Sequence, residues 1–206
     1  MAMDIMVMVM DTVMDMDTAT IMNHKLMEPV DTIIKGLVVI QPKVFEDSRG
    51  YFYEPYNKQV LADMGINDDF VQDNQSLSQK DVVRGLHFQN PPFAQAKMVR
   101  VIQGAVWDVV VDIRKSSPTY GDYYGIELSA KNKTILYIPE GFAHGFKTLE
   151  DNTVFLYKCS RYYNKPSEDS ILWSDPDIGI EWDIENPVLS DKDRKGKLFK
   201  EFKSQF

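Results

Sequence analysis

Two histidines, one tyrosine and a few scattered cations are the side chains best suited to chemistry in this chain. His87 lies in Val82-Val83-Arg84-Gly85-Leu86-His87-Phe88-Gln89, and Tyr157 in Val154-Phe155-Leu156-Tyr157-Lys158-Cys159. Imidazole titrates nearest neutrality and makes a ready base. Strand tyrosines usually pack, but a buried hydroxyl facing a cavity can serve as a general acid. Arg49, Arg84 and Lys97 stand near the ends of apolar runs, and three such cations can grip a diphosphate. In simple alternation His87 shares a face with Gly85 and Gln89, while Arg84 points the other way. A bulge at Gly85 brings Arg84 and His87 to one side. His144, in Ile138-Pro139-Glu140-Gly141-Phe142-Ala143-His144-Gly145-Phe146, reads either as a turn histidine capping carbonyls or as a phosphate or carboxyl contact at a pocket mouth. Neither His87 nor His144 has a second histidine nearby, so no metal site is expected. The third histidine, His24, reads as incidental. The sole cysteine, Cys159, excludes an internal disulfide and a CxxC zinc site and fits a reducing compartment.

The elements that must position these groups are short and apolar. From Val30 onward, runs rich in Val, Ile, Tyr and Phe recur. They include Tyr51–Tyr56, Phe70–Ser76, Val82–Gln89, Lys97–Gln103, Ala105–Ile113, Tyr124–Ser129, Ile135–Ile138, Gly145–Leu149 and Val154–Ser160. Turn signals such as Asn90-Pro91-Pro92, Gly104 and Ser116-Ser117-Pro118 separate them. Many short strands at near-regular spacing predict an all-β sandwich or barrel. Two helices are expected, Lys58–Met64 closed by Gly65 and a solvated C-terminal one from Asp191.

The formal charge of −8 argues against a nucleic-acid partner, which would need a basic face. No apolar run approaches the roughly 18 residues of a membrane span, and an acid, Asp4, precedes the short apolar run from Ile5 to Met10, unlike the basic start of a secretory signal. A cytoplasmic protein is expected. Residues 1–33 hold nine of the eleven methionines, with six acids and one base, so they contribute −5 and the remainder −3. The organisation expected is an N-terminal Met/Asp-rich extension over residues 1–28 and a single domain over 29–206. An anionic ligand responds to the local field more than to the chain total.

Taken together, several strings resemble the dTDP-4-dehydrorhamnose 3,5-epimerase family. They are Pro42-Lys43-Val44-Phe45-Glu46-Asp47-Ser48-Arg49-Gly50-Tyr51-Phe52, Phe70-Val71-Gln72-Asp73-Asn74-Gln75-Ser76, Arg84-Gly85-Leu86-His87-Phe88-Gln89, Ala94-Gln95-Ala96-Lys97-Met98-Val99-Arg100, the His144 string above, Leu156-Tyr157-Lys158 and Ser170-Ile171-Leu172-Trp173. Their order runs continuously from about residue 30 to residue 195. The resemblance implies a cupin-type jelly roll, a homodimer, and no metal or other cofactor. It implies dTDP-4-dehydro-6-deoxy-D-glucose as substrate, on the route to dTDP-L-rhamnose. By this match His87 is the base, Asp193 its partner, Tyr157 the acid and Lys97 the cation near the keto oxygen. Arg49, Glu54, Gln72, Asn74, Arg84, His144, Glu168 and Lys192 fall at nucleotide-sugar binding positions, and Tyr163 would stack on the thymine. Gln75, where many relatives have histidine, and Ala96, in place of a frequent glycine, depart from the pattern.

Two other readings use the same residues. One is a single-site epimerase of a related dTDP-4-keto-deoxysugar. The other is a non-catalytic sugar-nucleotide-binding cupin, which would have no need of an acid–base pair. A metal-dependent cupin oxygenase would require ligands that the histidine spacing does not offer.

Overall fold

The computed structural model describes residues 26–206. Its strands are β1 (Met27–Asp31), β2 (Val38–Pro42), β3 (Phe45–Asp47), β4 (Gly50–Phe52), β5 (Gln72–Ser78), β6 (Val83–Gln89), β7 (Lys97–Gln103), β8 (Ala105–Asp112), β9 (Tyr123–Ser129), β10 (Ile135–Ile138), β11 (Phe142–Thr148), β12 (Thr153–Cys159) and β13 (Glu168–Ser170). One helix, α1 (Lys58–Asp63), interrupts them. Asn57 caps it by accepting from the Gln59 and Val60 N–H groups, and Gly65 ends it at a φ of +84°.

The strands form an antiparallel six-stranded sheet in the order β1-β2-β10-β7-β12-β5 and a five-stranded sheet in the order β13-β6-β11-β8-β9. The inner faces pack on each other. Val39, Val99, Val101, Leu136, Ile138 and Phe155 of the first meet Val106, Val110, Leu128, Phe142 and Phe146 of the second. Antiparallel sheets with facing apolar surfaces make a sandwich closed around one core, and the jelly-roll expectation is met.

Both outer faces are covered as well. α1 and Ile66 cover Ile40, Met98 and Ile135 on the six-stranded sheet. The C-terminal segment lays Ile178, Trp182 and Phe202 over Val83, Leu86, Phe88, Val109 and Val111 on the other. This corrects one expectation. The chain from Asp191 forms two 3-10 turns, Asp193–Lys195 and Phe199–Glu201, rather than a solvated helix. Gly196 permits the close docking that takes the helix's place: a Cβ there would lie 2.5 Å from the Leu172 nitrogen. The segment docks backbone to backbone, with Lys197 N–H donating to Ser170 O and Leu172 N–H to Lys197 O.

Three strands lie outside the runs read from the sequence, β1, β3 and β13. β1 begins at Met27, which is fully buried, so the assignment of Met27 and Glu28 to the extension is corrected. Most of the extension, with His24, lies outside the described residues. Among the described residues no helix is long and apolar enough to cross a membrane.

Candidate active site

Residues directly opposite each other in an antiparallel ladder share a face. On the six-stranded sheet, Tyr157 is opposite Asn74 and Val99, and Cys159 is opposite Gln72 and Lys97. Because Val99 faces the core between the sheets, Gln72, Asn74, Lys97, Tyr157 and Cys159 line the same lumen. On the five-stranded sheet, His144 is opposite His87 and Val110, Phe146 is opposite Arg84 and Asp108, and Glu168 is opposite Gln89. That wall therefore presents Arg84, His87, Gln89, Asp108, His144 and Glu168. His87 and Tyr157 approach from opposite sides.

The expected bulge at Gly85 is present. From His144 to Phe146 is two residues, while the matching step from His87 to Arg84 is three. The extra residue resets the alternation and puts Arg84 on the His87 side. Gly85 sits at a φ of +138°, and a Cβ there would be 2.5 Å from the Gly145 Cα. Only glycine allows β6 and β11 to approach so closely. Arg84 donates from Nε and Nη2 to the buried Ser78 hydroxyl, both at 3.2 Å.

The bulge also admits Asp193 from the C-terminal segment. Its Oδ1 lies 2.7 Å from His87 Nε2 and accepts from the Gly85 N–H at 3.2 Å. Its Oδ2 accepts from the Ser190 hydroxyl at 2.5 Å. Asp193 is 3% exposed, whereas Asp191 is exposed, so the choice between the two falls on Asp193. Burial pushes the Asp193 carboxyl up, but contact with His87, Ser190 and the Gly85 N–H outweighs it and holds the group down to about 2. Burial also pulls His87 below its ordinary value, against the opposing pull of Asp193. A neutral imidazole beside a fixed carboxylate is the state a general base needs.

On the opposite wall, burial raises the Tyr157 hydroxyl, with Cys159 adding to the effect, so it keeps its proton at neutral pH. Burial pulls the Lys97 ammonium downward, countered by Cys159 and Asp108. Asp108 is fully buried and bonds to His144 Nε2 through both carboxylate oxygens, at 3.0 and 2.9 Å. His144 itself lies within β11, buried and stacked on Phe155. The turn reading of His144 is thus corrected: Glu140-Gly141 makes the turn, and the strand starts directly after it.

The remaining predicted residues form a chain along the rim. Lys192 pairs with Glu168, which accepts from the Tyr163 hydroxyl at 3.1 Å. The Tyr163 N–H donates to Gln72 Oε1 at 2.9 Å, and Gln72 Nε2 donates to Asn74 Oδ1 at 3.0 Å. Burial works to raise Glu168, and its bond with Lys192 overcomes that and lowers it.

Arg49 and Glu54 do not join this group. Arg49 sits on the two-stranded β3–β4 ribbon, paired with Asp47. Glu54 accepts from Asn57 Nδ2 at 2.8 Å. Between them, the Tyr53 hydroxyl accepts from Arg100, whose neighbours across the sheet, Ile135 and Leu156, place it on the outer face. Four residues around the site are given no role by the sequence reading: Asp108, Gln89, Ser78 and Ser190. Only Asp108 carried a signal, a carboxylate inside the apolar strand Ala105-Val106-Trp107-Asp108-Val109-Val110-Val111. Gln75 is exposed on β5 and takes no part.

The comparisons with known proteins converge on the same residues' span. Residues 31–201 match the family described as dTDP-4-dehydrorhamnose 3,5-epimerase. The enzyme of that name from Shigella flexneri is 52% identical over 174 residues, which is 84% of this chain and 96% of the relative. The crystal structure of the Elizabethkingia anophelis enzyme superposes with a TM-score of 0.82 at 49% identity, covering 85% of this chain and 98% of that one. A dTDP-6-deoxy-D-glucose-3,5-epimerase from Legionella pneumophila, in complex with dTDP-4-keto-L-rhamnose, matches with a TM-score of 0.81 at 46% identity over 84% of this chain and 93% of its own. With half the residues identical and nearly the whole length of each relative covered, this chain is an isomerase and a member of the dTDP-4-dehydrorhamnose 3,5-epimerase family.

Proposed function

We propose that the protein inverts carbons 3 and 5 of dTDP-4-dehydro-6-deoxy-D-glucose to give dTDP-4-dehydro-L-rhamnose, for dTDP-L-rhamnose biosynthesis. The keto group at carbon 4 acidifies the protons on both neighbouring carbons. His87 takes a proton and Asp193 balances the imidazolium that forms. The electron pair moves onto the keto oxygen as an enolate, where Lys97 stabilises the charge. Tyr157 then returns a proton to the opposite face of the carbon. His87 then releases its proton to solvent and Tyr157 regains one, and the same sequence at the second carbon completes the reaction. No electrons leave the sugar, so the chemistry calls for no redox cofactor. Each positioned proton-transfer group contributes about 10²–10⁴-fold.

The observation that carries this reading is the placement of His87 and Tyr157 on opposite walls of one lumen, with Lys97 on the strand beside Tyr157. Inversion needs a base on one side and an acid on the other. Arg84, Lys192, Glu168, Gln72, Asn74 and His144 would hold the sugar and diphosphate, with Tyr163 against the thymine. The Legionella relative holds the product that this reading assigns. Arg49 and Glu54, which belong with outer-face residues of their own protomer, would serve the site of a second copy in a homodimer.

The test is an NMR time course with the dTDP-4-keto sugar in deuterated water. Deuterium at carbons 3 and 5 with formation of the L-rhamno product is expected. Incorporation at one carbon would make the protein a single-site epimerase. The variant H87N should bind dTDP yet lose turnover, and unchanged turnover would refute the base assignment.

A further inference from the structure

Loop 160–164 carries Tyr162 and Tyr163 from the end of β12 to the 3-10 turn Lys165–Ser167. Both rings project outward, 70% and 54% exposed. Side-chain amides from β5, β6 and the segment before β7 hold the backbone of this loop. Gln95 Nε2 donates to Arg161 O at 2.7 Å, Gln72 Oε1 accepts from Tyr163 N–H at 2.9 Å, and Gln89 engages the residues on either side of Tyr163.

Gln89 is the buried member of the three, at 5% exposed. Its Oε1 accepts from the Asn164 N–H at 2.7 Å. Its Nε2 donates to Phe93 O at 2.7 Å and to Tyr162 O at 3.4 Å. One amide thus ties two rim loops together, 90–93 and 160–164, through three backbone bonds. An amide offers one acceptor and two donor hydrogens, and all are used here with a single orientation. Gln89 also shares a face with His87, two residues away on β6, so the clamp is built on the strand that carries the base.

We infer that Gln89 is a positioning residue that fixes the Tyr162–Tyr163 loop against the 90–93 loop and thereby sets how tightly the site holds the nucleotide. It acts through the loop and has no part in the proton transfers. The inference rests on the reading that Tyr163 receives the thymine. Preorganisation of this kind favours binding because the loop's ordering cost is met before the ligand arrives.

The substitution Gln89→Glu keeps the acceptor for Asn164 but sets a carboxylate oxygen against two carbonyl oxygens. Gln89→Met keeps the approximate size and removes every polar bond. Both should raise the dissociation constant for dTDP and KM for the nucleotide sugar by about tenfold or more, since the Phe93 and Tyr162 carbonyls lose their donor and the loop its anchor. The turnover number at saturation should stay within about twofold, the signature of lost uniform binding. The Gln89→Glu defect relative to wild type should shrink as pH falls toward 5, because protonation restores a donor.

Hydrogen exchange of the Asn164 amide, measured on the protein alone, should speed up by about tenfold in Gln89→Met. That readout needs no substrate, so it judges the clamp even if the wild type does not turn over the dTDP-4-keto sugar. Unchanged exchange with unchanged dTDP affinity would overturn the inference. A fall in turnover number at constant KM would overturn it too, by placing Gln89 in the chemistry.

Discussion

Asp193 Oδ1 lies 2.7 Å from His87 Nε2 but beside the ring nitrogen rather than along its N–H direction. The carboxylate is held there by bonds that do not involve His87, from the Gly85 N–H and the Ser190 hydroxyl. The position of the carboxylate is therefore fixed independently of the imidazole. A contact of this length strengthens as the ring gains a proton, because the pair then becomes a charged one.

The first prediction concerns this pair. Asp193 opposes the burial that lowers His87, so D193N should lower His87 further. A base works only while unprotonated, so activity rises as pH climbs through its pKa. The acidic limb of the kcat/KM profile should consequently move to lower pH in D193N. The rate on the plateau should fall by roughly 10²–10⁴-fold as the imidazolium loses its stabilising charge. An NMR titration of the His87 ring together with the rate profile checks both parts.

The second concerns Gly85. Alanine there meets the Gly145 Cα at 2.5 Å and the His144 carbonyl at 3.0 Å, both backbone, at a φ that disfavours side chains. Neither strand can yield without opening the sheet. Gly85→Ala should cost ~3 kcal/mol or more, and thermal unfolding of the purified variant measures it. Any folded fraction should show impaired turnover, since the bulge aligns both Arg84 and Asp193.

How far the sequence alone reaches can be judged from such residues. Apolar runs separated by turn signals locate ten of the thirteen strand regions, because most of those strands bury one or both faces, and the glycine inside one such run signals the bulge. His144 was misplaced because Glu140-Gly141 just upstream marks a turn, and nothing local says that the strand starts at Phe142. The Asp193–Gly85 bond joins residues 108 apart, and no local pattern encodes a pairing of that range. Gln89 looks like any strand-end glutamine. Its importance comes from the two loops it touches, which are adjacent only in the folded chain.

The third prediction is about acid stability. Asp112 is fully buried at the end of β8 and bonded to Arg114, the Ser117 hydroxyl and the Thr119 hydroxyl. Burial works to raise its carboxyl, and these bonds overcome it, bringing it from 3.8 to about 2. A depressed carboxyl contributes stability that is present above the unfolded value and lost as pH falls through the folded one. Asp112→Asn should therefore destabilise the protein by about 2 kcal/mol at pH 7. The difference from wild type in urea unfolding should persist down to pH 4 and close toward pH 2.

The fourth prediction separates the two walls of the lumen. Tyr157→Phe removes one oxygen and the proton it carries, while His87, Lys97 and Asp193 keep their places on two other strands and the C-terminal segment. Proton abstraction should continue and the enolate should still form, but no acid waits on the far side. His87 then returns a proton from the side it took one, and in deuterated water that proton exchanges with solvent while the imidazole is charged. The variant should wash deuterium into the substrate without inverting it, and epimer formation should fall by roughly 10²–10⁴-fold. Proton NMR follows both in one tube, as loss of the carbon 3 and carbon 5 signals against growth of product signals. If exchange and inversion fell together, Tyr157 would be needed for abstraction itself, and the two-wall assignment would have to be reversed.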